Sequence, residues 1–283
     1  MAAPEALAIP RRFGETTRTD IWWLQPLGVF LGFSAFIVYS TWAALQGIHS
    51  TAYWFNGDGA NYLSPFYSPP LFATPGIDGH ATPPSIFGIV PGWWPGFLPF
   101  SPAVLIMWIP AGFRFTCYYY RGQYYKAFWA DPIACTVGEA RKTYWGERYL
   151  PLILQNVHRY FFYLAVLFIL ILSRDAWDGL WFTNAADGTK HFGVAVGSLV
   201  LIVNVFLLAM YTFGCHSFRH LIGGFLDSKS KAPACASVYN CASCLNAKHG
   251  NWAWYSLFWV GFTDVYIRLC ALGIWHDFHL FTL

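Results

Sequence analysis

Charge is scarce along this chain: Asp, Glu, Lys and Arg make up 11% of its 283 residues, where a soluble domain carries roughly a quarter. Hydrophobic residues account for 56% and aromatic ones for 20%, leaving too little polar surface to dissolve a folded domain. The chain reads as an integral membrane protein. A cleavable signal peptide is also missing, because the N-terminal MAAPEALAIPRRFGETTRTD is polar and the first apolar run starts only after it. The first helix then acts as its own insertion signal. There is no internal repeat and no coiled-coil heptad, so one membrane domain is the simplest organisation.

Polar side chains are nearly absent from the centres of the apolar segments, with Asn204, His158, Asp264 and Arg268 the exceptions. A transporter or channel needs polar groups along a path through the bundle, and that class finds little support here. No nucleic-acid partner is expected.

Five segments approach the roughly 20 apolar residues needed to cross a hydrocarbon core. They run from Trp23 to Leu45, Pro99 to Tyr120, Leu150 to Leu172, Phe192 to Phe213 and Trp252 to Trp275. The expected fold is an all-α bundle of five transmembrane helices. Residues 1–22 form a cytoplasmic segment, 23–275 the membrane domain and 276–283 a tail. The stretch 48–98 between the first two helices has no Lys or Arg and is rich in Pro, Gly, Tyr and Phe. Its prolines exclude a regular helix, so it is expected to be an ordered aromatic loop at the extracytoplasmic interface, where Trp and Tyr rings are favoured.

Basic residues set the orientation. Arg11, Arg12 and Arg18 precede the first helix; Arg121, Lys126, Arg141, Lys142 and Arg148 lie in the second loop; Arg219, Lys229, Lys231 and Lys248 lie in the fourth. The first loop and the tail carry no Lys or Arg, and the third loop has only Arg174 and Lys190. Five crossings of the plasma membrane with the N-terminus in the cytoplasm fit this alternation at every loop.

Histidine is missing from the first two helices but concentrated with cysteine near the fourth loop, in GCHSFRH at 214–220 and CASCLNAKH at 241–249. The first stretch is expected to close the fourth helix and the second to open the fifth. A cytoplasmic location is reducing, which disfavours disulfides and favours a metal. His216 and His220 stand at i and i+4, Cys241 and Cys244 at i and i+3. Two imidazoles facing two thiolates suit zinc or a Rieske-type [2Fe–2S] centre, with Cys215 and His249 as substitute ligands. A third reading is haem b held by His158 facing His216, and a fourth makes these cysteines packing residues and these histidines interfacial hydrogen-bonders. Cys117, Cys135 and Cys270 read as packing residues.

The second concentration of chemistry is GFRFTCYYYRGQYYKAFWADPIAC. Arg114 lies inside the second helix and is followed by Tyr118, Tyr119, Tyr120, Arg121, Tyr124, Tyr125 and Trp129. An intramembrane Arg among phenols offers hydrogen bonds to the carbonyl oxygens of an otherwise apolar ring such as a quinone. An aromatic belt with a snorkelling Arg explains single rings at such a place, but less well five tyrosines within eight residues. The expected quinone contacts are Arg114, Tyr118, Tyr119, Arg121, Tyr125, Trp129 and His158. Asp264 and Arg268, at i and i+4 with the acid first, form an expected ion pair.

The strings FRFTCYYYRGQYYKAFWADPIAC, RYLPLILQNVHRYFFYLAVLF, GCHSFRHLIGG and LNAKHGNWAWYSLFWVGFTDVYIRL occur in order and resemble the membrane anchor (cytochrome b-like) subunit of actinobacterial, in particular mycobacterial, succinate dehydrogenases, over about residues 99 to 275. The resemblance implies a non-flavin subunit of succinate:quinone oxidoreductase beneath a flavoprotein and an iron–sulfur subunit. Succinate is oxidised at FAD in those partners, electrons run through their iron–sulfur clusters, and the anchor delivers them to menaquinone. It also admits a haem-carrying anchor of a fumarate reductase, a cofactor-free anchor with a structural zinc, and a higher oligomer of the complex. Zinc has no redox chemistry, so in an electron-carrying complex the expected occupant of His216, His220, Cys241 and Cys244 is the [2Fe–2S] cluster.

Overall fold

The computed structural model describes residues 12–74, 82–89, 92–95, 97, 100–141, 148–150, 152–184, 187–224 and 232–283. Arg11, Lys142, Lys229 and Lys231 of the charge argument lie outside them. The chain divides into two compact units, one built from Met1–Ile37 and Arg114–His158, the other from Val38–Phe113 and Arg159–Leu283.

The described residues are mostly helical. Three helices are long and apolar enough to cross a membrane by length and composition: Leu24–Ile48, Ile153–Asp178 and Val196–Phe213. The first is α1 (Leu24–Leu45), extended by a short 3-10 turn; Pro26 sits in its first turn, where a missing N–H costs nothing. The helix expected over 99–120 is shorter and interrupted. It comprises α2 (Pro102–Phe115), with Pro110 inside it, a break at extended Cys117, and α3 (Tyr118–Gln123), followed by a π-helical turn over Tyr124–Phe128. The helix expected over 150–172 starts and ends later, as α4 (His158–Asp178) after a 3-10 turn at Leu152–Val157. It continues past Leu172 because Arg174 and Asp178 pair one turn apart at 2.8 Å.

The first unit is held by its N-terminal strand-like arm. Gly14 N–H donates to the Gly138 carbonyl at 3.0 Å, Gly138 N–H to the Glu15 carbonyl at 2.8 Å, and Arg18 to the Cys135 carbonyl at 3.0 Å. A Cβ on Gly138 would collide with the carbonyl oxygen of Arg12, so this close approach requires glycine. Cys135 is exposed, not a packing residue.

The second unit contains structure that an all-α expectation omits. The aromatic loop forms a hairpin of β1 (Trp54–Gly57) and β2 (Ala60–Leu63), whose turn residues Asp58 and Gly59 both have positive φ, 54° and 78°. A second sheet orders β3 (Trp181–Thr183), β4 (Lys190–Ala195) and β5 (His279–Thr282), so the first residues of the expected fourth helix are a strand and so is half of the tail. Helix α5 (Val196–Phe213) follows. Its N-terminus is completed from 80 positions away by Asp277, whose carboxylate accepts from Gly197 N–H at 2.9 Å and from the hydroxyls of Tyr62 and Tyr266, each at 2.7 Å. GCHSFRH does not close that helix: the chain breaks at Gly214 and Cys215, and residues His216–Gly223 form α6. CASC does not open the last helix either, since it belongs to a separate α7 (Pro233–Ala247). Helix α8 (His249–Ala271) packs along α5 and stops where Gly273 takes φ 70°. It is 23 residues long but carries Asp264 and Arg268 on its buried side.

One seven-residue stretch, Tyr62 to Ser68, fastens this unit together through hydroxyl groups. Tyr62 donates to Asp277, Ser64 to Asp264, Ser68 to Asp175, and Tyr67 to the Ala43 carbonyl at 2.8 Å. Two buried carboxylates, Asp264 and Asp277, and the half-buried Asp175 therefore share one anchoring segment, and each is paired through it.

Candidate functional site

The expected quinone residues all lie in the first unit: Arg114 in the last turn of α2, Tyr118, Tyr119 and Arg121 on α3, Tyr125 in the π-helical turn, Trp129 just after it and His158 at the start of α4. The structure arranges them as three groups. In the first, Arg121 lies over the Tyr118 ring with 5.2 Å from guanidinium carbon to centroid. Tyr118 meets the His158 imidazole edge to face at 6.0 Å, and His158 Nδ1 hydrogen-bonds Thr116 Oγ1 at 2.9 Å. Thr116 and His158 are buried, 2% and 1% exposed, while Tyr118 remains 41% exposed. This group is therefore an open aromatic rim over a buried polar floor. The break at Thr116–Cys117 creates it by turning Thr116 out of the helical ladder, where its hydroxyl reaches a side chain 42 residues away.

In the second group Arg114 donates to the Tyr120 hydroxyl at 3.0 Å, and Tyr119 packs on Tyr120 with 5.5 Å between centroids. Tyr120 is fully buried against Phe33, edge to face at 4.8 Å. The third consists of Tyr125 and Trp129, 5.7 Å apart. An apolar groove of about 360 Å³ lies on the same unit, lined by Trp23, Pro26, Leu27, Phe30, Ala127 and Ile133. Phe30 and Phe33 both touch Phe128, at 5.1 and 6.3 Å, so a continuous file of rings joins the groove wall to Tyr120.

Sequence reading missed two residues here. Thr116 is one. The other is Gln155, in the 3-10 turn before α4, which is 0% exposed. A polar residue within an apolar run was its available signal, and the hydrophobic count absorbed it.

The expected metal ligands are not brought together. His216 and His220 do face each other on α6, ring centroids 4.4 Å apart. Cys241 and Cys244 are exposed on α7, and the side chains that tie α6 to α7 are others: Arg219 donates to Asn246 Oδ1 at 2.9 Å and to the Tyr239 hydroxyl at 3.2 Å. Among the described residues no three His, Cys, Asp or Glu side chains form a group that could hold a metal ion. The i, i+4 and i, i+3 spacings do place each pair on one helix, and in the chain by itself Cys241 and Cys244 lie on the exposed side of α7. The substitutes separate too, with Cys215 buried and His249 stacked on the Tyr211 ring at 4.9 Å. Burial, then the nearby His220 and Arg219, push the His216 imidazole below its ordinary range.

Asp264 and Arg268 meet the expectation of an ion pair: Arg268 Nε donates to Asp264 Oδ2 at 2.7 Å, and the carboxylate also accepts from Tyr39 at 2.6 Å and from Ser64. The second guanidinium nitrogen caps the Ala43 carbonyl at 2.9 Å.

With this geometry in place, comparison with known proteins is decisive. Residues 24–273 match the family described as actinobacterial succinate dehydrogenase subunit SdhC. The chain belongs to that family. A solved structure, the Mycobacterium smegmatis Sdh1 complex in the apo form, contains a chain 41% identical to it, covering 99% of this chain and 97% of that one with a TM-score of 0.81. No curated protein sequence matches it. The family match reaches back to residue 24, so the SdhC likeness includes α1 and the hairpin loop, beyond the 99–275 in which the sequence strings carry it. As an SdhC subunit the chain is a membrane component of a succinate dehydrogenase.

Proposed function

We propose that this SdhC chain passes electrons from an iron–sulfur subunit to a quinone, menaquinone by family resemblance, and that the quinone ring is bound by the first unit. The partners are a flavoprotein and an iron–sulfur subunit on the cytoplasmic side of the plasma membrane. Sidedness rests on the distribution of basic residues, and five crossings rest on adding α2 and α8 to the three long apolar helices. Succinate loses two electrons and two protons to become fumarate in the partner subunits; the quinone takes up two electrons and two protons to become quinol.

The observation that carries the reading is the buried Thr116–His158 hydrogen bond beneath Tyr118 and Arg121. A membrane protein buries ionisable groups at a cost and keeps them where they serve a ligand or a proton path. Tyr118 supplies a ring face against which a quinone stacks, Arg121 a cation that favours reduced, negatively charged quinone oxygens, and His158 with Thr116 a hydrogen-bonded pair able to hold and pass a proton. The apolar groove gives the isoprenoid chain a path beside α1. The Arg114–Tyr120 pair supports this floor from behind.

Tyr118→Leu and Arg121→Gln test the assignment in the assembled complex. Each is expected to lower kcat/KM for quinone by about tenfold or more, the loss of about 1.4 kcal/mol or more of binding or transition-state interaction. Succinate oxidation by an artificial dye, which bypasses the anchor, should be unchanged. Normal quinone kinetics in both variants would sink the site.

A further inference from the structure

We infer that Gln155 is a quinone-binding residue, its side-chain amide donating to one carbonyl oxygen of the ring and so fixing which edge of the ring faces His158. The inference rests on the reading of the first unit as the quinone site and adds to it the group that orients the substrate.

Gln155 is fully buried, yet among the described residues neither its amide nitrogen nor its amide oxygen has a hydrogen-bond partner. Leaving a buried amide unmatched costs about 1–3 kcal/mol, and more than nine in ten buried polar groups in folded proteins avoid that cost. A side chain this short of partners is kept for something that arrives. Its place says what that is. The turn Leu152–Val157 is 3-10, in which side chains three apart eclipse one another, so Gln155 stands over the face on which His158 begins α4. Burial follows the same period: Gln155 and His158 are buried, whereas Asn156 and Val157 between them are exposed. The buried pair thus adds an amide donor and acceptor to the polar floor formed by His158 and Thr116, next to the Tyr118 ring.

The chemistry of the amide selects the ligand class. An uncharged N–H₂ donates to a quinone carbonyl before reduction, and the adjacent amide oxygen accepts from the quinol hydroxyl after it. One side chain therefore serves both oxidation states without taking or giving a proton, a role that Arg121, which can only donate, cannot fill in both directions.

Gln155→Met tests it, because Met matches the length and volume of Gln without its polar atoms. Removing an unmatched buried amide should leave the thermal stability of the complex unchanged or raise it. The KM for quinone is expected to rise about tenfold, with dye-linked succinate oxidation unaltered; Gln155→Leu should behave alike. An unchanged quinone KM in Gln155→Met, while Tyr118→Leu and Arg121→Gln remain impaired, overturns the role of Gln155 and leaves the site standing. Normal quinone kinetics in all three overturns the site itself. A marked fall in melting temperature with loss of every activity shows the amide to be structurally bonded, which also overturns the inference.

Discussion

Arg268→Leu is expected to destabilise the anchor by about 3–5 kcal/mol, the usual cost of stranding one partner of a buried ion pair. Asp264 is 0% exposed and Arg268 5%, so no water replaces the lost guanidinium. The carboxylate would keep Tyr39 and Ser64 as donors but no cation, and the Ala43 carbonyl would lose one of its two donors, keeping Tyr67. The double variant Asp264→Leu/Arg268→Leu should recover part of the loss, since a buried pair replaced as a unit by apolar residues is often tolerated. A thermal melt of the purified complex in detergent, run for both singles and the double, gives the coupling energy directly. Equal and additive losses would show that the two charges do not depend on one another.

Asp277→Ala should have an effect of similar size just beyond the C-terminal end of α8. The substitution strands the hydroxyl of Tyr266 and the N–H of Gly197 and leaves the Tyr62 hydroxyl only Ser198 at 3.3 Å, and each buried group so stranded costs about 1–3 kcal/mol. It also removes an acid from the N-terminus of α5, whose first turn has none of its own. Asp277→Asn keeps the shape and one acceptor oxygen and should lose clearly less. The expected readout is failure of the alanine variant to assemble on a native gel where the asparagine variant still does; equal assembly of both would show that the carboxylate is dispensable.

Asp277 also shows why part of the fold escaped sequence reading. Its partners lie 215, 80 and 11 positions away, and nothing in the tail HDFHLFTL distinguishes a capping carboxylate from a solvated one. The same holds for β4: KHFGVA is apolar enough to extend the hydrophobic run that follows, and only pairing with β3 and β5 makes it a strand. Apolar length, in contrast, is a local property, so α1, α4 and α5 stood out within a few residues of their observed cores. The Asp264–Arg268 pair was legible because one helix carries both charges at i, i+4. At the candidate site, Tyr118, Arg121 and His158 were visible as residue types, but the break at Cys117 that turns Thr116 toward His158 has no proline or glycine to announce it. The histidine and cysteine pairs are legible as spacings within one helix each, whereas how α6 and α7 meet, with Arg219 packed on Tyr239, is a tertiary matter that spacing does not carry.

The central claim is that the quinone ring binds to the first unit of this SdhC chain, and photolabelling tests it most directly. The assembled complex is irradiated with a quinone carrying a photoreactive azido group on its ring, with and without excess unlabelled quinone, and the labelled peptides are mapped. Competed label in peptides from residues 114–158 is the predicted result. Competed label confined to residues 159–283, or to the other subunits of the complex, would contradict it.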